Sequence, residues 1–334
     1  MEAIKNLKIN MEQKILETEN VIIVPHNGID FDAIGSAIGL SLIAKKMKKP
    51  AFIVVDDPLH QIDSGVQLVM EAVKNDFPII NGEKYFQGRS LQANEPNDLF
   101  ILTDVNKSYL VSIKDELTNP SNIVIIDHHN PDNSTVVAET SYIDPSVSSA
   151  SEVVAKLLCL YKIKPSPEVA NYLLAGIYLD TNKLTKNTSA ETMKIVAKLL
   201  ENGASMNRVT DLFTEDFVSD RRVQELVSKA KISNYSIATV CADSNTEYTK
   251  EELAKVADYL LKYKVDAAFA IGNIGQGVIS ISARSKEKVD VGAVMHELNG
   301  GGNQYSGATK LTDCSIEEAE KNLIKILQPP CYIK

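Results

Sequence analysis

The chain has 334 residues, of which 44% are hydrophobic and 24% are charged. These values are typical of a soluble protein with two or three domains, and they exclude a disordered or fibrous chain. The net charge of -9 argues against a protein that grips long duplex DNA through a broad basic face. The sequence has neither a stretch of roughly 20 apolar residues nor a signal peptide, so we expect a cytoplasmic protein with no membrane span in this chain.

The first half of the chain alternates short apolar runs with helix-length segments. The runs that predict strands are VIIVP (21–25), AFIVV (51–55), LFILT (99–103) and NIVII (122–126). A helix is predicted from Asp32 to about Lys46, and two more within 147–183. Strands that alternate with helices indicate a parallel sheet with helices on both faces.

The second half begins with a helix-rich segment and ends in a smaller unit. That unit shows a strand, an amphipathic helix, a hairpin that turns at the GNIGQG glycines, and helical patterns over 290–298 and 315–327. We therefore predict an α/β fold with a parallel-sheet domain over 1–190, a helical connector over 191–233 and a smaller α/β domain over 234–334.

Acids and histidines follow the predicted strands directly. They are His26, Asp30 and Asp32 after the first run, Asp104 after the third, Asp127, His128 and His129 after the fourth, and Asp180 at the end of LLAGIYL. In a parallel sheet the ligand crevice lies outside the carboxyl ends of the strands, so these side chains are expected to converge. An Asp after a strand is most often a helix cap or a turn residue. Their repetition at four segment ends favours a metal site instead.

The ligand types define the expected ion. Imidazole and carboxylate without sulfur suit Mn²⁺, with Zn²⁺ or Co²⁺ as competitors. The ligands are too numerous for a single ion, and two ions that share a carboxylate would use them well. We therefore expect two divalent metal ions as cofactors.

Four segments resemble the motifs of one known family. The strings HNGIDFDAIGSA, LTDVN, IDHHN and GIYLDTNKLT are similar to the four motifs of the DHH phosphoesterases, and SSASE (148–152) is similar to a further family string. ISARS (281–285) and ELNGGGNQYSGAT (297–309) resemble the DHH-associated substrate domain. The resemblance covers nearly the whole chain and implies a phosphoric ester hydrolase.

The resemblance also implies roles for the individual residues. His26 and Asp30 would hold the first ion, Asp32, His128 and Asp180 the second, and Asp104 both, while His129 would face the substrate phosphate and Asp127 would orient a histidine. The implied reaction is direct hydrolysis by a water that the two ions activate, with no covalent intermediate.

The second domain is expected to determine substrate specificity. Gly300, Gly301 and Gly302 can offer backbone N–H groups to a phosphate or a base, although most glycine runs are simple turns. Arg284 is the candidate for a charge-assisted phosphate contact, with a solvated strand-end arginine as the alternative. The family usually has His after the glycine run. Here Asn303 stands at that position, and it can form hydrogen bonds but cannot become a cation.

The resemblance is strongest to phosphodiesterase domains that act on cyclic-di-AMP. It implies a cyclic dinucleotide or its linear dinucleotide product as substrate. An oligoribonuclease that also removes the 3'-phosphate of pAp, acting on short oligoribonucleotides, is an alternative. A non-catalytic nucleotide-binding regulatory protein is an alternative of a different class. The sequence leaves the oligomeric state open, with a homodimer as one option.

Overall fold

The structure is a computed structural model that describes residues 2–59, 62–87, 97–214, 217–233, 236–286, 288–302 and 304–327. Contacts between residues divide the chain into two units, Met1–Thr214 and Glu215–Lys334. Each unit has its own sheet. The predicted α/β class is confirmed.

The first unit is built on a six-stranded parallel sheet. Its strands are β1 (Asn20–Val24), β2 (Ala51–Val54), β3 (Ile79–Ile80), β4 (Asp98–Thr103), β5 (Ile123–Asp127) and β6 (Thr140–Ile143). They lie in the order β3-β2-β1-β4-β5-β6, and each neighbouring pair is parallel. The order reverses between β1 and β4, and a sheet of this kind forms its ligand crevice at the carboxyl ends of those two strands.

Helices and loops cover both faces of this sheet. The helices of the first unit are α1 (Glu2–Glu17), α2 (Phe31–Lys46), α3 (Ser64–Val73), α4 (Gly82–Phe86), α5 (Ala150–Leu160), α6 (Pro167–Asp180), α7 (Ala190–Glu201) and α8 (Met206–Leu212). Val21 and Ile23 of β1 join the larger core, which includes α1, α2, α5 and α6, while Ile22 and Val24 join a smaller core on the other face. The strands are therefore apolar on both sides, as buried parallel strands are.

Helix α2 is the central helix of the larger core. Its small residues, with glycines at Gly35 and Gly39, let α5 and α6 approach closely. A Cβ at Gly39 would lie 2.5 Å from Cγ1 of Val154 in α5, and one at Gly35 would lie 2.6 Å from the carbonyl oxygen of Tyr172 in α6. This packing brings the first turns of α2 and α5 and the end of α6 together beside the carboxyl edge of the sheet.

The second unit has a six-stranded mixed sheet. Its elements are α9 (Phe217–Val227), β7 (Lys231–Ile232), β8 (Ile237–Cys241), α10 (Lys250–Leu260), β9 (Ala267–Asn273), β10 (Ile279–Ser285), α11 (Val291–Glu297), β11 (Gly301–Gly302), β12 (Ser306–Leu311) and α12 (Ile316–Ile326). The order is β11-β12-β10-β9-β8-β7, with β8 and β9 parallel and the other pairs antiparallel. β9 and β10 form the predicted hairpin.

Helix α1 was not predicted, because charged residues dominate its segment. It buries Ile4, Leu7, Met11 and Ile15, which recur at helical spacing. The predicted connector residues 191–233 contribute to both cores, since α7 and α8 pack in the first unit and α9 packs in the second. Among the described helices, none has the length and apolar character that a membrane crossing needs.

Candidate metal centre

The loop after β1 carries the first two candidate ligands. Asp30 caps α2, since one of its oxygens accepts hydrogen bonds from two N–H groups of the first turn at 2.9 and 3.0 Å. Its other oxygen lies 3.8 Å from Nε2 of His26. Asp57, which follows β2, holds the loop by accepting from the N–H groups of Gly28 at 2.8 Å and Ile29 at 3.2 Å. Gly28 has a φ of +77°, a conformation that favours glycine.

Asp104 lies at the middle of the candidate centre. It directly follows β4, adopts a left-handed φ of 59° and is buried. One carboxylate oxygen lies 3.3 Å from Nε2 of His26, and the other lies 3.3 Å from Nε2 of His128. Nδ1 of His26 lies 3.0 Å from the next residue's carbonyl, so Nδ1 donates and Nε2 faces Asp104. Asp104 can thus contribute one carboxylate oxygen to each of two candidate ion positions.

The second position is formed by three different elements. Asp32 lies in the first turn of α2 and is fully buried, and His128 follows β5. Asp180 is the last residue of α6, and its carboxylate lies 3.1 Å from Nε2 of His128. The two oxygens of Asp32 accept hydrogen bonds from the N–H groups of Ala150 at 2.7 Å and Ser151 at 2.8 Å, at the start of α5.

Asp127 and His129 form a hydrogen-bonded pair at the edge of the centre. Oδ1 of Asp127 lies 2.9 Å from Nδ1 of His129 and accepts from the backbone N–H of His128 at 2.8 Å. Asn106 donates to the other oxygen of Asp127 at 2.5 Å and to the carbonyl of His129 at 3.0 Å. The His129 side chain is 56% exposed, whereas Asp127 is buried. The pair therefore presents an oriented imidazole to solvent.

The charges of the centre perturb the titration of its histidines. Burial alone would lower the pKa of His26, but the nearby carboxylates of Asp104 and Asp30 outweigh it and raise that pKa to about 12. In the same way, burial is outweighed by the nearby carboxylates of Asp104 and Asp180, which raise the pKa of His128 to about 11. Without a bound cation, both side chains are therefore positively charged imidazolium ions at neutral pH.

The carboxylates show the complementary effect. Burial and the negative charges of Asp104 and Asp180 raise the pKa of Asp32 well above its usual value. Burial also raises the pKa of Asp104, but the nearby imidazoles of His128 and His26 outweigh it and lower that pKa. The centre has more carboxylates than histidines, so bound cations would compensate the negative charge that the histidines leave.

The donor atoms are grouped as a metal site requires. Three groups have ligand atoms within 4.8 Å of one another: His26, Asp30 and Asp104; Asp32, Asp104, His128 and Asp180; and Asp104, Asp127, His128 and His129. Oδ1 of Asp104 and Nε2 of His128 are buried and have no hydrogen-bond partner in the described part of the chain. Buried polar atoms left without partners are rare, so this centre fits divalent ions.

A cavity of about 650 Å³ in the second unit contains the remaining candidate residues. Arg284 and the glycines 300–302 line it, together with Lys250 and Lys310. Arg284 is paired with Asp258, at 3.0 Å between Nε and Oδ1. The adjacent ammonium of Lys310 lowers the pKa of Lys250, so the wall carries excess positive charge. Asn303 lies outside the described residues.

The three glycines differ in what they do. A Cβ at Gly300 would lie 2.3 Å from the carbonyl oxygen of Ala308, and one at Gly302 would lie 2.3 Å from that of Ser306. These two glycines are therefore required by close contact with β12. A Cβ at Gly301 would meet nothing within 4 Å among the described residues, so this glycine leaves open space beside the cavity.

Our sequence reasoning did not identify Asp57, Asn106 or the start of α5 as parts of the centre. Asp57 follows a strand, as the other acids do, and this is the signal that could have found it. Apart from the SSASE string, nothing in the local sequence indicates that α5 contacts Asp32, because Ala150 and Ser151 lie 118 and 119 residues after it.

Family models match both units. Residues 20–177 match the DHH family, N-terminal domain, and residues 233–329 match the DHHA1 domain. The chain therefore carries a DHH domain followed by a DHHA1 domain.

Several known proteins are similar to this chain. The cyclic-di-AMP phosphodiesterase GdpP of Geobacillus thermodenitrificans is 32% identical over 94% of this chain and 48% of its own length. The cyclic-di-AMP phosphodiesterase PdeA of Listeria monocytogenes is 28% identical over 95% of this chain and 48% of its own length. The chain thus spans about half the length of these curated relatives.

A solved structure shares the fold over both units. The exopolyphosphatase-related protein from Bacteroides fragilis covers 96% of this chain and 96% of its own, with a TM-score of 0.80 and 21% identity. This likeness confirms the predicted fold.

Proposed function

We propose that this protein is a metal-dependent phosphodiesterase that hydrolyses cyclic dinucleotides of the cyclic-di-AMP type or their linear dinucleotide products. The observation that carries the proposal is the position of Asp104, whose two carboxylate oxygens each lie 3.3 Å from a different histidine of the centre. Similarity to two cyclic-di-AMP phosphodiesterases over nearly the whole chain supports the substrate class.

In this proposal the side chains divide between two positions for divalent ions, with Mn²⁺ as the expected ion. His26, Asp30 and Asp104 would hold one, and Asp32, Asp104, His128 and Asp180 would hold the other. Bound there, such ions lower the pKa of a water and polarise a phosphoryl group, which permits direct attack on phosphorus.

The protein's own groups supply the rest of the chemistry. His129 is solvent-exposed, and Asp127 holds its Nδ1 at 2.9 Å, so the imidazole is oriented toward an incoming phosphate. The Asp127 carboxylate also raises the pKa of His129, which favours the charged form. A protonated His129 would offset negative charge that develops on the phosphoryl oxygens. The cavity lined by Lys250, Arg284 and Lys310 offers cationic groups that would bind a phosphate.

The test is hydrolysis of defined substrates by the purified chain with Mn²⁺. Cyclic-di-AMP, pApA, pAp and a short oligoribonucleotide are compared, using wild type, Asp104→Asn and the control Asp98→Asn. Asp98 is a buried acid at the amino end of the same strand. The proposal expects cleavage of a dinucleotide by wild type and Asp98→Asn but not by Asp104→Asn. Preference for pAp or RNA would favour the oligoribonuclease alternative, and no turnover despite bound Mn²⁺ would favour the nucleotide-binding alternative.

A further inference from the structure

Asp32 is held by groups that are not themselves candidate ligands. Both of its carboxylate oxygens accept hydrogen bonds from the first turn of α5, at 2.7 Å from the N–H of Ala150 and 2.8 Å from that of Ser151. The hydroxyl of Ser151 donates to the Asp32 carbonyl at 3.3 Å. Backbone N–H groups at a helix start are fixed donors, so they define the direction of this carboxylate.

The first turn of α5 is itself held by hydrogen bonds to residues around it. Ser149 caps the helix by accepting from the N–H of Glu152 at 3.0 Å. The buried Glu152 carboxylate accepts from the hydroxyls of Ser148 at 2.5 Å and Thr192 at 2.8 Å, and it pairs with Lys156. These contacts anchor the turn to α7 as well as to its own helix.

Gly176 of α6 closes the other side of Asp32. A Cβ at position 176 would lie 2.6 Å from Oδ1 and 2.8 Å from Cα of Asp32, and 2.4 Å from Oγ of Ser151. Real side chains do not approach so closely, so alanine here would push Asp32 or α6 aside. Asp180 lies one turn later on the same helix and would move with it.

The other metal position is built differently. Asp30 is 39% exposed, and one of its oxygens caps α2. It therefore lacks the enclosure that surrounds Asp32, which is fully buried.

We propose that Gly176 and the capped first turn of α5 are positioning elements for Asp32, so that the position shared by Asp32, His128 and Asp180 is formed before an ion binds. This inference rests on the metal site of the proposed function. Positioning groups behind a ligand typically change metal affinity by about 10–100-fold when they are altered.

The test compares Gly176→Ala with Gly39→Ala in the full chain. Both are buried helical glycines whose Cβ would overlap a neighbour, but a Cβ at Gly39 would meet Val154 and Leu173 and no ligand. Mn²⁺ binding is followed by the electron paramagnetic resonance signal of the free ion, and thermal unfolding by circular dichroism. We expect both variants to unfold at lower temperature, and only Gly176→Ala to bind one Mn²⁺ about tenfold more weakly or worse.

The inference would be overturned if Gly176→Ala bound Mn²⁺ as tightly as the wild type, or if Gly176→Ala and Gly39→Ala lost Mn²⁺ affinity equally. If Gly176→Ala does not fold, Mn²⁺ binding is compared in Ser149→Ala and Ser315→Ala instead. Each variant removes a helix cap, but only Ser149 caps the helix whose first turn contacts Asp32. Weaker Mn²⁺ binding in Ser149→Ala alone supports the inference, and equal binding in the two overturns it. A wild-type chain that binds no Mn²⁺ overturns this inference and the proposed metal site together, whereas a failure confined to the variants spares the proposed function.

Discussion

At the scale of single residues, His129 differs from the other histidines of the centre by its exposure. Its side chain is 56% exposed, against 17% for His26 and 14% for His128. The two less exposed imidazoles face Asp104, while Nδ1 of His129 is hydrogen-bonded to Asp127. A substrate oxygen can therefore reach His129 without displacing a ligand.

We expect His129→Gln to lower kcat by about 10²–10³-fold, the usual loss when a group that stabilises transition-state charge is removed. Mn²⁺ binding should be retained.

Asp127→Asn, which acts on the orientation of His129, should lower kcat by about 10–100-fold. Steady-state kinetics and Mn²⁺ titration of the same preparations check both. If Mn²⁺ affinity falls in His129→Gln by as much as kcat does, then this histidine is a metal ligand instead.

The raised histidine pKa values predict how metal binding depends on pH. Without ions, the pKa of His26 is about 12 and that of His128 is about 11, so both side chains are positively charged imidazolium ions throughout the neutral range. A divalent ion must displace one proton from each. Mn²⁺ binding should therefore release protons, and its affinity should rise between pH 6 and pH 9 by about tenfold per pH unit for each proton displaced. Calorimetry in buffers of different ionisation enthalpy checks this, and binding without proton release would contradict it.

The candidate ligands could be predicted from sequence because of where they lie. His26, Asp104 and His128 all follow strands of a parallel sheet, and the topology then brings them to one edge. Asp57 also follows a strand, but the pattern does not show that it holds the loop after β1. Gly176 could not be predicted, because its role depends on distances to residues remote in the sequence, which no local pattern encodes.

At the scale of elements, the loop between β1 and α2 is held by an acid from the end of β2. Asp57 accepts from the N–H groups of Gly28 and Ile29, within the segment that carries His26 and Asp30. Its neighbour Asp56 accepts from Gly82 instead, at 2.7 Å.

We expect Asp57→Ala to raise the Mn²⁺ concentration required for half-maximal activity by about tenfold, because the loop loses both acceptors. Asp56→Ala is the matched control, since it removes an adjacent acid that holds α4 rather than the loop. Activity as a function of Mn²⁺ concentration checks the pair. Identical metal dependence in the two variants would show that Asp57 does not hold the ligands in place.

Secondary structure was predictable where the pattern was strong. The apolar strands β1, β2, β4 and β5 and the hairpin of β9 and β10 were predicted within a few residues. The two-residue strands β3, β7 and β11 are too short to show a period. β6 and β12 are polar strands whose pairing depends on their neighbours, and the charged surface of α1 conceals its buried stripe.

At the scale of the whole molecule, the two units carry different kinds of chemistry. The acids and histidines that can hold ions lie in the first unit, while the cavity in the second combines lysines, an arginine and glycines. Glu251 also lines that cavity and Asp258 pairs with Arg284, so the two acids only partly offset the charges of Lys250, Arg284 and Lys310. We therefore interpret Lys250 and Lys310 as groups that bind an anion.

We expect Lys250→Ala and Lys310→Ala to raise KM for a dinucleotide while leaving hydrolysis of bis(p-nitrophenyl) phosphate unchanged, since that small diester needs only the metal centre. A charge-assisted hydrogen bond is worth about 1.5–3 kcal/mol, which corresponds to roughly a 10–100-fold change. Lys325→Ala, an exposed lysine of α12, is the control. Equal effects on both substrates would place the lysines outside substrate recognition.

A crystal of the full chain, grown with Mn²⁺ and measured at the manganese absorption edge, tests the two-ion centre most directly. We predict two anomalous peaks about 3.5–4 Å apart, with the Asp104 carboxylate between them. The absence of anomalous density beside Asp104, or peaks bound by other residues, would contradict this prediction.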